Sequence, residues 1–260
     1  MLILYFSGTG NTQYIAEKFS QKMTASCYSI EASVDFESLI SKACTIVFCY
    51  PVYGSCVPMI MREFVKKYKA LLKGKKLVIL CTQNLFSGDG ARVFIDLLDD
   101  TTYQVIYAEH INMPNNICNL FFYPLSNNKK VKRYFDKADI KIQKISDDIQ
   151  NNVIKKRGFN EFSRFLGFIT QRVYFQKGEQ LAMKDVRINE NCITCMLCVN
   201  ICPMKNLTVI DERIQQRERC TLCYRCVNAC PKKAITVLTH GNVKRQYLGL
   251  ENIKEKSKER

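Results

Sequence analysis

The sequence predicts an α/β protein: a doubly wound, five-stranded parallel sheet flanked by helices, followed by a small α+β domain rich in cysteine. Three observations lead there. Short β-rich runs alternate with helical patterns from Leu2 to Tyr107. A glycine-rich turn, Ser7-Gly8-Thr9-Gly10, directly follows the first run. Eight of the fourteen cysteines fall between Cys192 and Cys230, in two runs of identical spacing.

Composition sets the limits. At 260 residues and 47% hydrophobic, the chain can bury one large core and a smaller second one, which excludes disorder. The longest uncharged stretch, Ala43 to Met61, is broken by Pro51, Gly54 and Pro58, so it reads as strand, loop and helix start rather than a membrane span. Met1 to Tyr5 lacks the basic region, long apolar segment and cleavage site of a signal peptide, which predicts a cytoplasmic protein. In a reducing compartment cysteines act as metal ligands, redox thiols or small buried hydrophobes.

The elements follow in order. Leu2 to Phe6 is a strand, and Asn11 to Lys22 is helical with Tyr14, Ile15 and Phe19 near one face. A weaker strand lies near Cys27 to Ile30. Thr45 to Cys49 is a strand, Pro58 to Lys69 a helix, Lys76 to Cys81 a strand, Ala91 to Leu98 a helix and Tyr103 to Tyr107 a strand. A helix from about Asn127 to Gln150 closes the domain. Strands joined by helix-length crossovers must run parallel, with helices on both faces.

Ligands of such sheets bind at the carboxyl ends of the strands. There, Ser7-Gly8-Thr9-Gly10-Asn11-Thr12 offers backbone N–H groups, a helix N-terminus and three hydroxyls to an anion such as a phosphate monoester. The plain alternative is a Gly/Ser turn with an Asn cap. No Lys is present for a nucleoside triphosphate, and the second turn of a dinucleotide fingerprint is missing. The loop resembles the phosphate loop of flavodoxins, which implies a flavodoxin-like fold and bound FMN. By that resemblance two further loops hold the flavin ring. One is Pro51, Val52, Tyr53 and Gly54; the other runs through Thr82, Gln83, Phe86, Gly88, Asp89 and Gly90. Tyr53 is the first candidate for stacking and Phe86 the second, with Gly54, Gly88 and Gly90 bringing amides close. Tyr50 or Phe86 packing in the core is the competing reading, and Asp89 is equally a proton donor or a turn residue. The chain departs from the family in having no Trp and in being basic.

The runs C-I-T-C-M-L-C-V-N-I-C-P from Cys192 and C-T-L-C-Y-R-C-V-N-A-C-P from Cys220 repeat one spacing, and their flanks Met204 to Asp211 and Lys232 to Thr239 repeat too. Two duplicated half-domains are implied. Three thiolates on one tight loop reach three irons of a cubane, and the fourth ligates the cluster of the other half. Zinc is the competing metal, but its ribbons need only two pairs of sulfurs. The segment resembles bacterial two-cluster ferredoxins. That resemblance implies one 4Fe-4S cluster on Cys192, Cys195, Cys198 and Cys230, and another on Cys220, Cys223, Cys226 and Cys202. The six other cysteines read as reduced core residues, with Cys56 beside the ring loop the one candidate for more.

Four regions result: 1–155 flavodoxin-like, 156–184 connecting, 185–240 ferredoxin-like, and a mixed-charge tail at 241–260. In the connecting region Phe159, Phe162, Phe165, Leu166, Ile169 and Val173 form an apolar stripe edged by Arg157, Arg164, Arg172 and Lys177. It predicts a helix packed between domains or, less favoured, one lying peripherally on a membrane. The formal charge of +15 falls to roughly +9 once two clusters and an FMN phosphate are counted. That attracts acidic redox partners, such as a ferredoxin or a reductase, and no motif for specific nucleic-acid binding is present.

The whole resembles the flavodoxin-like/two-cluster ferredoxin fusion proteins of anaerobes, which implies electron transfer between FMN, clusters and redox partners. A possible oxidoreductase, a pure electron carrier without its own substrate, and a cluster-based redox sensor remain the alternatives. His110 and His240 sit in no acid–base constellation in sequence, so no catalytic residue is assigned.

Overall fold

The computed structural model describes residues 1–98, 102–120 and 123–249. The charged tail expected at 241–260 therefore falls outside the described residues from position 250 on. The chain divides into two compact units, one of Met1–Met113 with Tyr134–Phe175 and one of Pro114–Arg133 with Gln176–Arg260. This division differs from the one read in the sequence. The stretch 114–133 goes with the cysteine-rich unit, and the connecting region as far as Phe175 goes with the sheet.

The first unit begins with β1 (Leu2–Tyr5), α1 (Asn11–Met23), β2 (Ser26–Ser29) and α2 (Phe36–Lys42). The helix α2 was not anticipated, although its signal is present: the Asp35 carboxylate caps it by accepting from the Ser38 N–H at 3.0 Å. Then come β3 (Thr45–Pro51), α3 (Met59–Tyr68) and β4 (Lys76–Gln83), followed by a 3-10 turn at Arg92–Leu97 where an α-helix was expected. Two β-branched residues, Val93 and Ile95, weaken α-helix formation there. Next are β5 (Gln104–Asn112), α4 (Asn128–Gln150) and β6 (Lys155–Lys156).

The sheet order is β2-β1-β3-β4-β5-β6, with every pair parallel. Nearly every residue of β3 and β4 is buried, as strands covered on both faces require. The winding reverses between β1 and β3, and this places the carboxyl ends of those strands at a switch point. Phe48, Tyr50 and Phe94 pack on one another in the core, Tyr50 stacked on Phe94 with centroids 5.8 Å apart. On α4 the buried Phe135, Ala138, Ile142 and Ile145 recur at helical spacing, and Tyr14 meets Phe135 edge-on at 4.7 Å.

The sixth strand departs from the expected five. Two lysines carry no strand signal of their own; Lys155 is drawn to β5 because Glu109, 2% exposed, accepts from Lys155 at 2.7 Å and from Arg157 at 3.0 Å. Burial pushes the Glu109 pKa up, but these cations, the His110 N–H and Lys141 outweigh it and bring it to about 2.

The connecting segment is broken into α5 (Glu161–Gly167), a π-helical turn at Phe168–Arg172 and α6 (Val173–Met183). Its apolar stripe is not the packed face. Phe162 is 72%, Phe165 62% and Ile169 45% exposed, whereas Gly167 and Arg172 are buried. The smallest residue of the helix, rather than its aromatic ones, sets the approach.

The second unit contains β7 (Arg187–Ile188), α7 (Leu197–Asn200), β8 (Leu207–Ile210), β9 (Arg213–Gln216), α8 (Arg225–Ala229) and β10 (Ile235–Thr236). β8 pairs with β9 and β7 with β10, both antiparallel. The repeat in sequence is a repeat in backbone: Thr194 and Leu222, Met196 and Tyr224, and Lys205 and Lys233 all take positive φ at equivalent positions. Asn116 and Asn119 fasten residues 114–120 to this unit, donating to the carbonyls of Cys223 at 3.3 Å and Val237 at 2.9 Å.

Candidate cofactor sites

The loop between β1 and α1 is shaped for an anion. Gly10 (φ 90°) is the N-cap of α1, no side chain among the described residues caps that helix end, and no acidic residue lies in its first turn. A Cβ built on Gly10 would meet nothing within 4 Å, so the loop opens outward there. The Gly10 N–H donates to Ser7 Oγ at 3.1 Å, which tightens the turn. Thr12 is fully buried, and its hydroxyl lies 2.7 Å from that of Thr82 at the end of β4. The pair joins the first loop to the third expected one. These features fit a phosphate, with the α1 N-terminus as electrostatic partner.

The two ring loops have partners of their own. Tyr53 and Cys56 exchange backbone hydrogen bonds of 3.2 and 2.9 Å around Gly54 and Ser55, both at positive φ. Val52 N–H donates to the Thr82 carbonyl at 2.8 Å, so the two loops start side by side. Tyr50 is a core residue whose hydroxyl donates to the Gly90 carbonyl at 2.9 Å. Phe86 is 49% exposed, and Tyr53 is half-buried with its hydroxyl oxygen buried.

The connecting segment leans on these same loops. A Cβ on Gly88 would come within 2.5 Å of Gly167 Cα, and one on Gly54 within 2.2 Å of the Phe175 side chain. Gln171 donates to the Phe86 carbonyl at 2.9 Å, and Asp89 is buried against Arg172 and Arg92. Gly54, Gly88 and Asp89 thus have a packing role beside any role toward a flavin. Sequence reasoning read Arg172 only as a charge edging the stripe and passed over Gly167, because nothing local marks a glycine or an arginine as the mate of a loop about eighty residues away.

The loop after β4 is held from inside by His110. Its Nε2 accepts from the Ala91 N–H at 3.1 Å, which leaves the proton on Nδ1 facing Ser87 Oγ at 3.2 Å. Ser87 in turn donates to Gln83 Oε1. Burial, then Arg157 and Lys141 against Glu109, lower the His110 pKa to about 4, so the ring is neutral here.

In the cysteine-rich unit, two cavities stand where the clusters were expected. Cys192, Cys195, Cys198 and Cys230 line one, with Ile193, Met196 and Leu197 at its wall. Cys202, Cys220, Cys223 and Cys226 line the other, with Thr221, Tyr224 and Val237. Each cavity therefore takes three thiols from one run and the fourth from the other. Backbone N–H groups already point at the fourth sulfurs, Asn206 to Cys202 Sγ at 3.2 Å and Ala234 to Cys230 Sγ at 3.3 Å. Burial pushes the thiols up, Cys198 and Cys220 to about 11 and Cys223 to about 12. Four thiolates in so apolar a cage need a strongly positive group among them, and an iron–sulfur cluster fits that donor set.

Compared with family models, residues 2–113 match the flavodoxin domain and residues 191–234 the 4Fe-4S dicluster domain. No curated protein matches the chain. Among solved structures it is similar to the two-electron reduced flavodoxin of Megasphaera elsdenii, at 23% identity and TM-score 0.38 over 54% of this chain and 99% of that one. It is also similar to a flavodoxin, WrbA-like protein of Agrobacterium tumefaciens, at 15% identity and TM-score 0.39 over 58% and 97%. A third is the rubredoxin oxygen:oxidoreductase of Desulfovibrio gigas, at 13% identity and TM-score 0.40 over 58% and 36%. The flavodoxin domain implies FMN, and the dicluster domain, with its cysteines clustered at 192–230, supports 4Fe-4S clusters. Among the described residues no helix is long and apolar enough to cross a membrane.

Proposed function

We propose that this chain, with an N-terminal flavodoxin domain and a C-terminal 4Fe-4S dicluster domain, passes electrons between FMN, two 4Fe-4S clusters and redox partner proteins of anaerobic metabolism. The observation that carries the reading is the pair of cavities, each lined by four cysteines drawn three and one from the two runs. FMN exchanges one or two electrons and each cubane one, so a chain holding both can convert paired into single-electron traffic.

The residues have distinct tasks in this reading. Ser7, Gly8, Thr9, Gly10 and Asn11 hold the phosphate at the α1 N-terminus, and Thr12 fixes the loop through Thr82. Tyr53 and Phe86 offer ring faces, and His110 keeps the loop after β4 in place through Ser87 and Ala91. Cys192, Cys195, Cys198 and Cys230 ligate one cluster; Cys202, Cys220, Cys223 and Cys226 ligate the other. The net charge, still roughly +9 with the cofactors counted, favours acidic partners by long-range attraction.

Anaerobic purification followed by iron, sulfide and flavin analysis tests this. About eight irons and one FMN per chain are expected from two cubanes and one phosphate loop. Stoichiometric zinc without iron, or a protein that retains no flavin, overturns it. In the loaded protein, photoreduced flavin should decay with cluster bleaching at a rate independent of protein concentration, because one chain holds both groups.

A further inference from the structure

One of the positions at which the two cysteine runs differ bears directly on their cavities. Aligning the runs on their first cysteines puts Thr221 where the other half has Ile193. Ile193 is 58% exposed, whereas Thr221 is 2% exposed, lines its cavity, and has a hydroxyl with no hydrogen-bond partner among the described residues. A buried hydroxyl left without a partner destabilises a fold, so an acceptor is missing from the protein atoms alone. The acceptors that the cavity offers are the thiolates of Cys202, Cys220, Cys223 and Cys226, together with the sulfides of whatever cluster they hold.

The surroundings sharpen the contrast. Cys195, Met196 and Leu197 leave the first cavity at the surface, while Leu222, Cys223 and Tyr224 are 5%, 7% and 3% exposed and close the second. Burial disfavours the extra negative charge of a reduced cluster and so lowers its potential, whereas a hydrogen-bond donor to its sulfur stabilises that charge and raises it.

We propose that Thr221 is a tuning residue of the cluster on Cys202, Cys220, Cys223 and Cys226, its hydroxyl donating a hydrogen bond to a cluster or cysteine sulfur and raising the potential that burial lowers. This rests on the cluster assignment of the preceding subsection. The half carrying Ile193 has no hydroxyl at this position, and its more exposed cavity lets solvent stabilise the added negative charge instead.

The test is an EPR-monitored redox titration of the anaerobically prepared holoprotein with Thr221→Val and Thr221→Ser. Valine has the same shape without the hydroxyl, so the fold should be kept, and iron content checks it. One of the two midpoints should move to lower potential in T221V while the other stays, and T221S should return it to the wild-type value. Ile193→Thr should leave the shifted midpoint untouched. Two unchanged midpoints in fully loaded T221V overturn the proposal and leave the assignment standing; they mean that the hydroxyl bonds a trapped water. A wild-type protein without iron overturns the assignment and the proposal together. Should T221V load poorly, Thr221→Ala read against T221S serves the same comparison, with an equal midpoint for the two overturning the idea.

Discussion

The Arg172 guanidinium and the Asp89 carboxylate form a buried ion pair, with side chains 11% and 0% exposed, that joins the connecting segment to the loop after β4. Arg92 holds the other carboxylate oxygen at 3.0 Å. Removing one partner of a buried pair costs about 3–5 kcal/mol, because the other is left charged and dry. Arg92 remains in Arg172→Ala, so the low end, about 3 kcal/mol, is expected there. Urea unfolding measures it, and cleavage by trypsin at Arg164 should accelerate as α5 leaves the loop. An unfolding midpoint equal to wild type would mean that the segment docks without the pair.

Gly167 is the second anchor. A methyl there would lie 2.4 Å from Asp89 Oδ1 and 3.2 Å from Ser55 Oγ, and neither group can retreat in the core. Gly167→Ala should therefore destabilise by about 1–3 kcal/mol through overpacking, although alanine is the better helix former. Gly178, with nothing within 4 Å of its Cβ position, is the control, and Gly178→Ala should be neutral or slightly stabilising. Thermal unfolding of the two variants separates the effects, and equal behaviour refutes the close approach.

His110 gives the fold a pH dependence of definite sign. Its folded pKa of about 4 lies below the ordinary imidazole value of 6.5, so between these values the unfolded chain takes up a proton that the folded chain refuses. Stability from this group is complete above pH 6.5 and falls as pH drops toward 4, by about 3 kcal/mol in all at 1.36 per unit. His110→Asn should flatten denaturation midpoints over that range. Flavin retention should weaken over the same range, since the protonated ring can no longer accept from the Ala91 N–H. A wild-type profile that is level from pH 6.5 to 4 counts against the neutral assignment.

The phosphate loop makes a graded prediction. Thr9→Val removes a hydroxyl proposed to face the phosphate, and a charge-assisted hydrogen bond contributes roughly 1.5–3 kcal/mol, so FMN affinity should fall at least tenfold. Thr12→Val and Thr82→Val break the bond that joins the loop to β4, and they should act alike, the double variant weakening FMN by little more than either single one. Titration of apoprotein with FMN by fluorescence quenching reads both effects. Full additivity in the Thr12/Thr82 pair would show that Thr12 meets the phosphate itself.

The sequence by itself determined the parts whose signals are local. Ser7 to Thr12 carries its turn and its helix N-terminus within a few residues, and the cysteine runs carry their spacing and their repeat. The strands β1, β3 and β4 were legible because a strand buried on both faces must be apolar throughout. The tertiary structure alone decided what depends on partners far apart in the chain. It gave Gly88 to Gly167, Asp89 to Arg172 and Thr12 to Thr82. It placed residues 114–120 beside the second run of cysteines, and it turned Phe162 and Phe165 outward although their spacing reads as a packed face. Periodicity reports that a helix has an apolar side, but which side is covered is fixed by the closest approach of two backbones, and a glycine permits an approach that a phenylalanine prevents.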